Sequence, residues 1–147
     1  MAKRPTAGTQ PAIPDFADLS GLEAMLQAQE EGVDIAILNE KGMPIGLTVN
    51  IVGPDSDRSR NAVREVAAEF AKRAAARDDD LSADDDEDER MSAILAKVTT
   101  GWSPNPKIGG QVIPFSEANV RNLYSKFRII RDQVERKASR RDSFTKG

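Results

Sequence analysis

Three observations on the 147-residue sequence predict an α+β fold, in which a small β-hairpin packs against three to four α-helices. Residues 33–52 alternate between apolar and polar side chains with a period of two and are rich in β-branched residues, which is typical of strands. Stretches on either side repeat apolar residues every three to four positions, which is typical of helices. The two chain ends lack either period, so we expect a disordered N-terminal arm and a C-terminal tail.

The first predicted helix covers residues 20–31 and precedes the hairpin. Ser20 followed by Glu23 three positions later fits a capping box, and Gly32 is placed to end the helix. One face of the helix is apolar and comprises Leu22, Met25 and Leu26. The segment NEKG at 39–42 is the expected hairpin turn, because its glycine can adopt a positive φ angle.

Three further helices are predicted after the hairpin. The first begins at Asp55 or Ser56, either of which can cap it, and carries an alanine-rich apolar stripe. The second lies in ERMSAILAKVTTGW, residues 89–102, and the last spans 116–138 with a serine at its N-cap. We expect one core to include Ala62, Val66, Phe70, Ile94, Leu95, Leu123, Phe127 and Ile130.

A strongly acidic run interrupts these helices. From Asp78 to Glu89, nine of the twelve residues are carboxylates. The run lacks the glycine and the ligand spacing of an EF-hand calcium loop, and like charges repel one another and stay solvated. We therefore interpret residues 78–88 as a solvated linker inside a single domain at 18–138. Residues 1–17 would form the disordered arm and residues 139–147 a basic tail.

Composition narrows the possible functions. Cysteine and histidine are absent, which excludes Ser–His and Cys–His catalysis, disulfides and nearly all zinc sites. We expect no enzymatic activity, no cofactor and no metal site. The N-terminus has no apolar stretch typical of a signal peptide, and no apolar run reaches the ~20 residues of a spanning helix. We therefore expect a soluble, intracellular protein that does not enter a membrane.

The C-terminal part of the chain is basic, with nine Lys and Arg residues and three acidic ones from Arg121 to Gly147. Clustered cations of this kind can contact nucleic-acid phosphates. The chain as a whole has a pI of about 5.1, and no recognised nucleic-acid motif is present, so we favour a solvated helix face. Trp102 either closes the core or anchors a partner, because tryptophan is enriched at binding hot spots.

Several short motifs are distinctive in combination. They are the hairpin ending LTVNIVGPDSDRSR, followed by VTTGW, PFSEANVRNLY, IIRDQV and a terminal RDSF. In these motifs the chain resembles, from about Val33 to Phe144, the tail assembly chaperones of long-tailed bacteriophages and prophages. The acidic run and the proline-containing N-terminal arm are less typical of that family.

The resemblance implies a non-catalytic function in the cytoplasm of a bacterial host. Proteins of this family are small, tend to oligomerise, and coat the long helical tape-measure protein while the tail tube polymerises around it. The expected partners are therefore the tape-measure protein, the tail tube protein and further copies of the chain, with neither membrane nor nucleic acid. Two alternatives stay open, namely a permanent virion component, such as a head–tail connector or tail-completion protein, and a nucleic-acid-binding accessory protein.

The expected contact with the partner lies around Trp102 and the last helix. A helix that exposes an apolar face can bind the apolar face of another helix, and charged flanks steer the encounter. The candidate contact residues are Trp102, Phe115, Tyr124, Phe127, Arg128 and Arg131.

Overall fold

The structure is a computed structural model that describes residues 15–76 and 83–145, the side chains of residues 83–85 excepted. Most of the predicted arm at 1–17 and the first part of the predicted linker lie outside the described residues. The elements confirm an α+β fold. They are α1 (Ser20–Glu31), β1 (Val33–Leu38), β2 (Pro44–Ile51), α2 (Asp57–Ala75), α3 (Ala83–Val98), β3 (Thr99–Ser103), β4 (Lys107–Ile108), β5 (Gln111–Val112), α4 (Glu117–Lys126), α5 (Arg128–Ala138) and a terminal 3₁₀ turn (Arg141–Phe144).

The predicted hairpin forms two strands of a three-stranded antiparallel sheet in the order β1-β2-β3. Its alternating pattern is confirmed, because every second residue faces the core. These buried residues are Ile35, Ile37, Leu47, Val49 and Ile51. The turn is also confirmed, since Gly42 has a φ angle of 78° and the Asn39 amide donates to the Met43 carbonyl at 2.8 Å.

The third strand was not expected, and the predicted helix over residues 89–102 is wrong at its end. Helix α3 stops at Val98, and the next five residues form β3, with Trp102 opposite Val49. Thr99 and Thr100 are β-branched and suit a strand better than a helix. Central strand β2 offers these residues an unpaired edge, so they complete the sheet.

Helix α1 has the predicted bounds, but its N-cap differs from the prediction. Gly32 closes it with a φ angle of 87°. The capping box at Ser20 is wrong, because Leu19 occupies the N-cap position without a side-chain cap. Instead, the Asp18 carboxylate accepts a hydrogen bond from the Ser20 amide at 3.0 Å.

Part of the predicted linker is helical. Helix α3 begins at Ala83, so the interpretation of residues 83–88 as a linker is wrong. Two of the acidic side chains at its start pair with cations, as Asp88 lies 3.1 Å from Arg131 and Glu89 lies 3.1 Å from Arg73. Acidic residues are also favoured in the first turns of a helix by its dipole. Residues 78–82 lie outside the described part of the chain.

The predicted single helix over 116–138 is interrupted. Residue Phe127 is not helical, with φ −113° and ψ 87°, and it separates α4 from α5. The predicted N-cap is confirmed, since the Ser116 hydroxyl accepts a hydrogen bond from the Asn119 amide at 3.1 Å.

The core consists of two clusters rather than the single one expected. The main cluster joins the sheet to α3, α4 and α5, and a smaller one between α2 and α3 contains Val66, Phe70 and Ala93. Six of the predicted core residues are buried, whereas Ile94 and Phe127 are half-buried and pack against these clusters.

The predicted basic tail at 139–147 packs against the domain in its described part, which ends at residue 145. Phe144 is only 4% exposed and belongs to the main core cluster. Arg141 binds Asp55 through two hydrogen bonds of 2.6 and 3.0 Å. The terminal turn therefore packs against both α1 and α5.

Candidate partner-binding groove

An apolar groove of about 340 Å³ opens near the hairpin turn, beside the break between α4 and α5. We call it the tip groove. Its apolar side chains are Ile45, Leu47, Ile108, Leu123, Phe127 and Ile130. Lys107 is the one charged side chain that lines it among the described residues, and no described carboxylate does.

The groove exists because the inward face of β2 continues beyond the helices that cover it. Leu47 is 6% exposed, whereas Ile45, which lines the same groove two residues earlier, is 49% exposed. The chain leaves the helical conformation at Phe127 and starts a separate helix, so α4 and α5 do not close over the strand as one rod. An apolar concave surface is left open to solvent.

An aromatic pair supports the loop that forms one wall of the groove. The rings of Trp102 and Phe115 meet edge to face, with centroids 5.4 Å apart and planes at 87°. The Trp102 indole N–H donates to the Asn105 side chain at 3.0 Å, and the Ile113 amide donates to the Pro106 carbonyl at 2.8 Å. Such contacts fix the loop, so the wall is formed before any partner binds.

Positive charge lies around the apolar surface. Besides Lys107, the Lys126 ammonium lies 5.8 Å from the centre of the Phe127 ring. The side chain of the next residue, Arg128, is 66% exposed and lies 3.6 Å from the carboxylate of Asp88. An apolar floor with a cationic rim suits an amphipathic partner that carries acidic side chains.

Tyr124, one of the predicted contact residues, is part of the interior. It is fully buried, and its hydroxyl lies 2.7 Å from the Thr99 hydroxyl. Burial raises the pKa of Tyr124 to about 12. A direct contact between Tyr124 and a partner is therefore wrong for this fold, and the residue instead joins α4 to the start of β3.

Arg131, also predicted at the contact, is 8% exposed and faces inward. Its guanidinium donates to Asp88 at 3.1 Å and to Asp132 at 3.0 Å. The pair with Asp88 fastens α5 to α3, so a contact through Arg131 is wrong as well. The other predicted residues, Trp102, Phe115, Phe127 and Arg128, retain exposed surface, and of these Phe127 lines the tip groove.

Of the apolar residues that line the groove, only Phe127 was among the predicted contact residues, whereas Leu123 and Ile130 were predicted only for the core. Ile45 and Leu47 belong to the alternating strand pattern, which assigns both to the core without showing where the core ends. Ile108 lies in the proline-rich segment and has no periodic neighbours. The helix break at Phe127, which leaves this end of the strand open, has no proline or glycine to mark it.

Most of the cationic residues once considered for nucleic-acid binding are paired within the chain. Arg121 binds Glu69 at 2.9 Å, and Arg140 binds Asp142 at 2.8 Å. With the pairs of Arg128, Arg131 and Arg141 already described, five of the eight described Lys and Arg residues from Arg121 to residue 145 contact a carboxylate. These pairs leave a smaller free cationic surface than the sequence suggested.

Neither a metal-ion site nor a membrane span was found in the described residues. Over 15–76 and 83–145, no cluster of three or more acidic residues has the geometry to hold a metal ion. No helix in the same ranges is both long and apolar enough to cross a membrane.

Comparisons with protein-family models, with curated proteins and with solved structures gave no match.

Proposed function

We propose that the protein is a tail assembly chaperone of a long-tailed bacteriophage or prophage, which binds the tape-measure protein in the cytoplasm of the bacterial host. The motifs of the sequence suggest the family. The structural observation that carries the proposal is the tip groove, an open apolar surface with a cationic rim at one end of a small domain. Monomeric proteins usually expose such surfaces where they bind a partner.

The shape and chemistry of the groove favour a helical partner. Amphipathic helices commonly bind by inserting apolar side chains, spaced three to four residues apart, into a groove of this kind. The tape-measure proteins served by the resembling family are long and helical, so each offers many such segments. A small groove with charges at its rim gives an interface that holds one segment and releases it again, as an assembly factor requires.

The proposal includes no catalytic step. Histidine and cysteine are absent, and the one ionisable side chain lining the groove among the described residues is Lys107. A nucleic-acid function receives less support than the sequence alone gave it, because phosphate binding needs free cations and five of the eight described cations from Arg121 onward are paired with carboxylates.

Co-expression with the tape-measure protein tests the proposal. The partner should become soluble and co-purify with this chain, and added nuclease should leave the complex intact. Ile45→Asp should abolish co-purification, because it places a charge on the exposed floor of the groove. Val63→Asp is the matched control, since Val63 is 50% exposed like Ile45 but lies on a different surface.

Three outcomes would contradict the proposal. If the tape-measure protein stays insoluble while this chain retards DNA on a gel, the nucleic-acid alternative replaces it. If the chain is found in purified virus particles, it is a structural component. If Ile45→Asp and Val63→Asp bind equally well, the partner does not use the tip groove.

A further inference from the structure

Another groove, of about 390 Å³, runs along α1 on the side where the terminal turn packs. We call it the α1 groove. Three small residues at helical spacing, Gly21, Ala24 and Ala28, line it on α1, and Phe144 and Thr145 line it on the terminal turn. Because Gly21 and Ala24 are exposed and carry little or no side chain, an extended peptide can approach the helix backbone closely there.

The part of the chain that carries α1 is acidic. Residues 15–31 contain five carboxylates and no cation, and Glu31 is the one charged side chain that lines the α1 groove among the described residues. The tip groove differs, since the charge that lines it is Lys107. The α1 groove therefore suits a peptide that is apolar where it touches the helix and cationic beside it.

The first fourteen residues, which lie outside the described part of the chain, have this composition. They include Lys3 and Arg4 and no carboxylate, and they end in the sequence PAIP at 11–14. Two prolines separated by two residues favour the polyproline II conformation, an extended helix that needs no internal hydrogen bonds. Peptides with this spacing bind apolar grooves that have an aromatic wall, because they lose little conformational entropy on binding.

The connection along the chain brings this segment to one end of the α1 groove. Gly21 follows Pro14 by only seven positions, and the chain bends at residues 15–16, just before α1. A segment that turns back from this bend runs along α1 from Gly21 towards Glu31, a distance of about 15 Å along the helix axis. Fourteen residues in the polyproline II conformation span roughly 40 Å, so the segment can cover the groove and still bring its cations to Glu31.

We propose that residues 11–14 lie in the α1 groove of their own molecule, with the preceding cations beside the carboxylates of α1. The segment then contacts α1 on one side and the terminal turn on the other, so it holds that turn against the helix. For these residues the inference replaces the expectation of a disordered arm. It concerns a different groove from the one assigned to the tape-measure protein, so it does not depend on the function proposed above.

Cysteine pairs in the full-length chain test the position of the segment, because the sequence contains no cysteine of its own. Ala12→Cys is combined with Ala24→Cys in the groove, or with Leu22→Cys or Leu26→Cys as controls. Leu22 and Leu26 are exposed and each lies two positions from Ala24, on the opposite side of the helix. They also bracket Ala24 in distance along the chain, so tether length alone cannot favour the groove pair. Equilibration with glutathione buffers measures the effective concentration of each pair of thiols.

The pair with Ala24→Cys should have an effective concentration at least about tenfold above both controls, since a free tether gives similar millimolar values at all three positions. Mass spectrometry and non-reducing gels should show that the disulfide forms within one molecule. Gly21→Arg, added to this pair, places a long cation in the groove and should lower the effective concentration to that of the controls. The fold tolerates this change, because a Cβ atom at Gly21 would meet no neighbouring group within 4 Å. Leu22→Arg adds the same charge on the opposite side and should leave the effective concentration unchanged.

Five results would overturn the inference. Equal effective concentrations for the three pairs show that the segment does not lie on α1. An excess at Leu22→Cys or Leu26→Cys places it over the exposed leucines instead. Disulfides that link two molecules show that the groove takes the segment of another copy. An excess that survives Gly21→Arg does not come from the groove, and one that survives Lys3→Glu with Arg4→Glu at low salt shows that charge does not select this segment.

Discussion

Replacing Phe144 with alanine tests whether the C-terminal turn is part of the folded domain. The ring is 4% exposed and packs in the main core cluster, and truncating a fully interior phenylalanine typically costs about 3–5 kcal/mol. However, the terminal segment can detach while the rest of the domain stays folded. The loss of stability in the variant therefore cannot exceed the free energy with which this segment docks on the domain. Burial of one phenylalanine contributes about 1.5–3 kcal/mol, and the pair of Arg141 with Asp55 adds little because it is exposed to solvent. We therefore expect Phe144→Ala to lower the free energy of unfolding by roughly 2–3 kcal/mol.

Urea unfolding followed by circular dichroism measures this loss. Phe16→Ala is the matched control, because Phe16 is 73% exposed and its replacement should change stability by less than about 0.5 kcal/mol. If the two variants are equally stable, the terminal turn does not hold the core together, and the assignment of residues 141–144 to the domain is wrong.

Three further predictions concern single contacts. Ser116→Ala removes an N-cap and should lower the free energy of unfolding by about 1 kcal/mol. Ser20→Ala, at a helix start without a side-chain cap, should lower it by only a few tenths of a kcal/mol. Thermal unfolding of the two variants measures both changes. Asp88→Ala removes one partner of the buried Arg131 and should cost about 1–2 kcal/mol in urea unfolding, a loss that a flexible linker at this position would not produce. The hydrogen bond from Arg121 lowers the pKa of Glu69 below its ordinary value of 4.5. The contribution of Glu69 to stability is therefore complete above pH 4.5 and is lost as the pH falls through the lowered pKa. In Glu69→Gln, the free energy of unfolding should therefore fall less steeply as the pH is lowered. Identical pH profiles for the variant and the wild type would contradict this.

The parts of the fold that the sequence predicts well are those with a local cause. The hairpin follows from the period of two between residues 33 and 52. Ser116 caps a helix because its hydroxyl can accept a hydrogen bond from the amide of Asn119, three residues later. Gly32 ends α1 for an equally local reason, since its φ angle is positive. Patterns of this kind act within a few residues, so they can be seen before any tertiary contact is known.

The errors occur where a distant contact decides the conformation. Thr99 continues a helical pattern but becomes a strand residue because β2, about fifty positions earlier, offers a free edge. Residues 83–88 have the composition of a linker, yet Asp88 pairs with Arg131 across the domain. Phe144 stands alone in a basic segment and is buried against residues far from it in sequence. The tip groove also could not be predicted from local sequence, because no proline or glycine marks the helix break at Phe127.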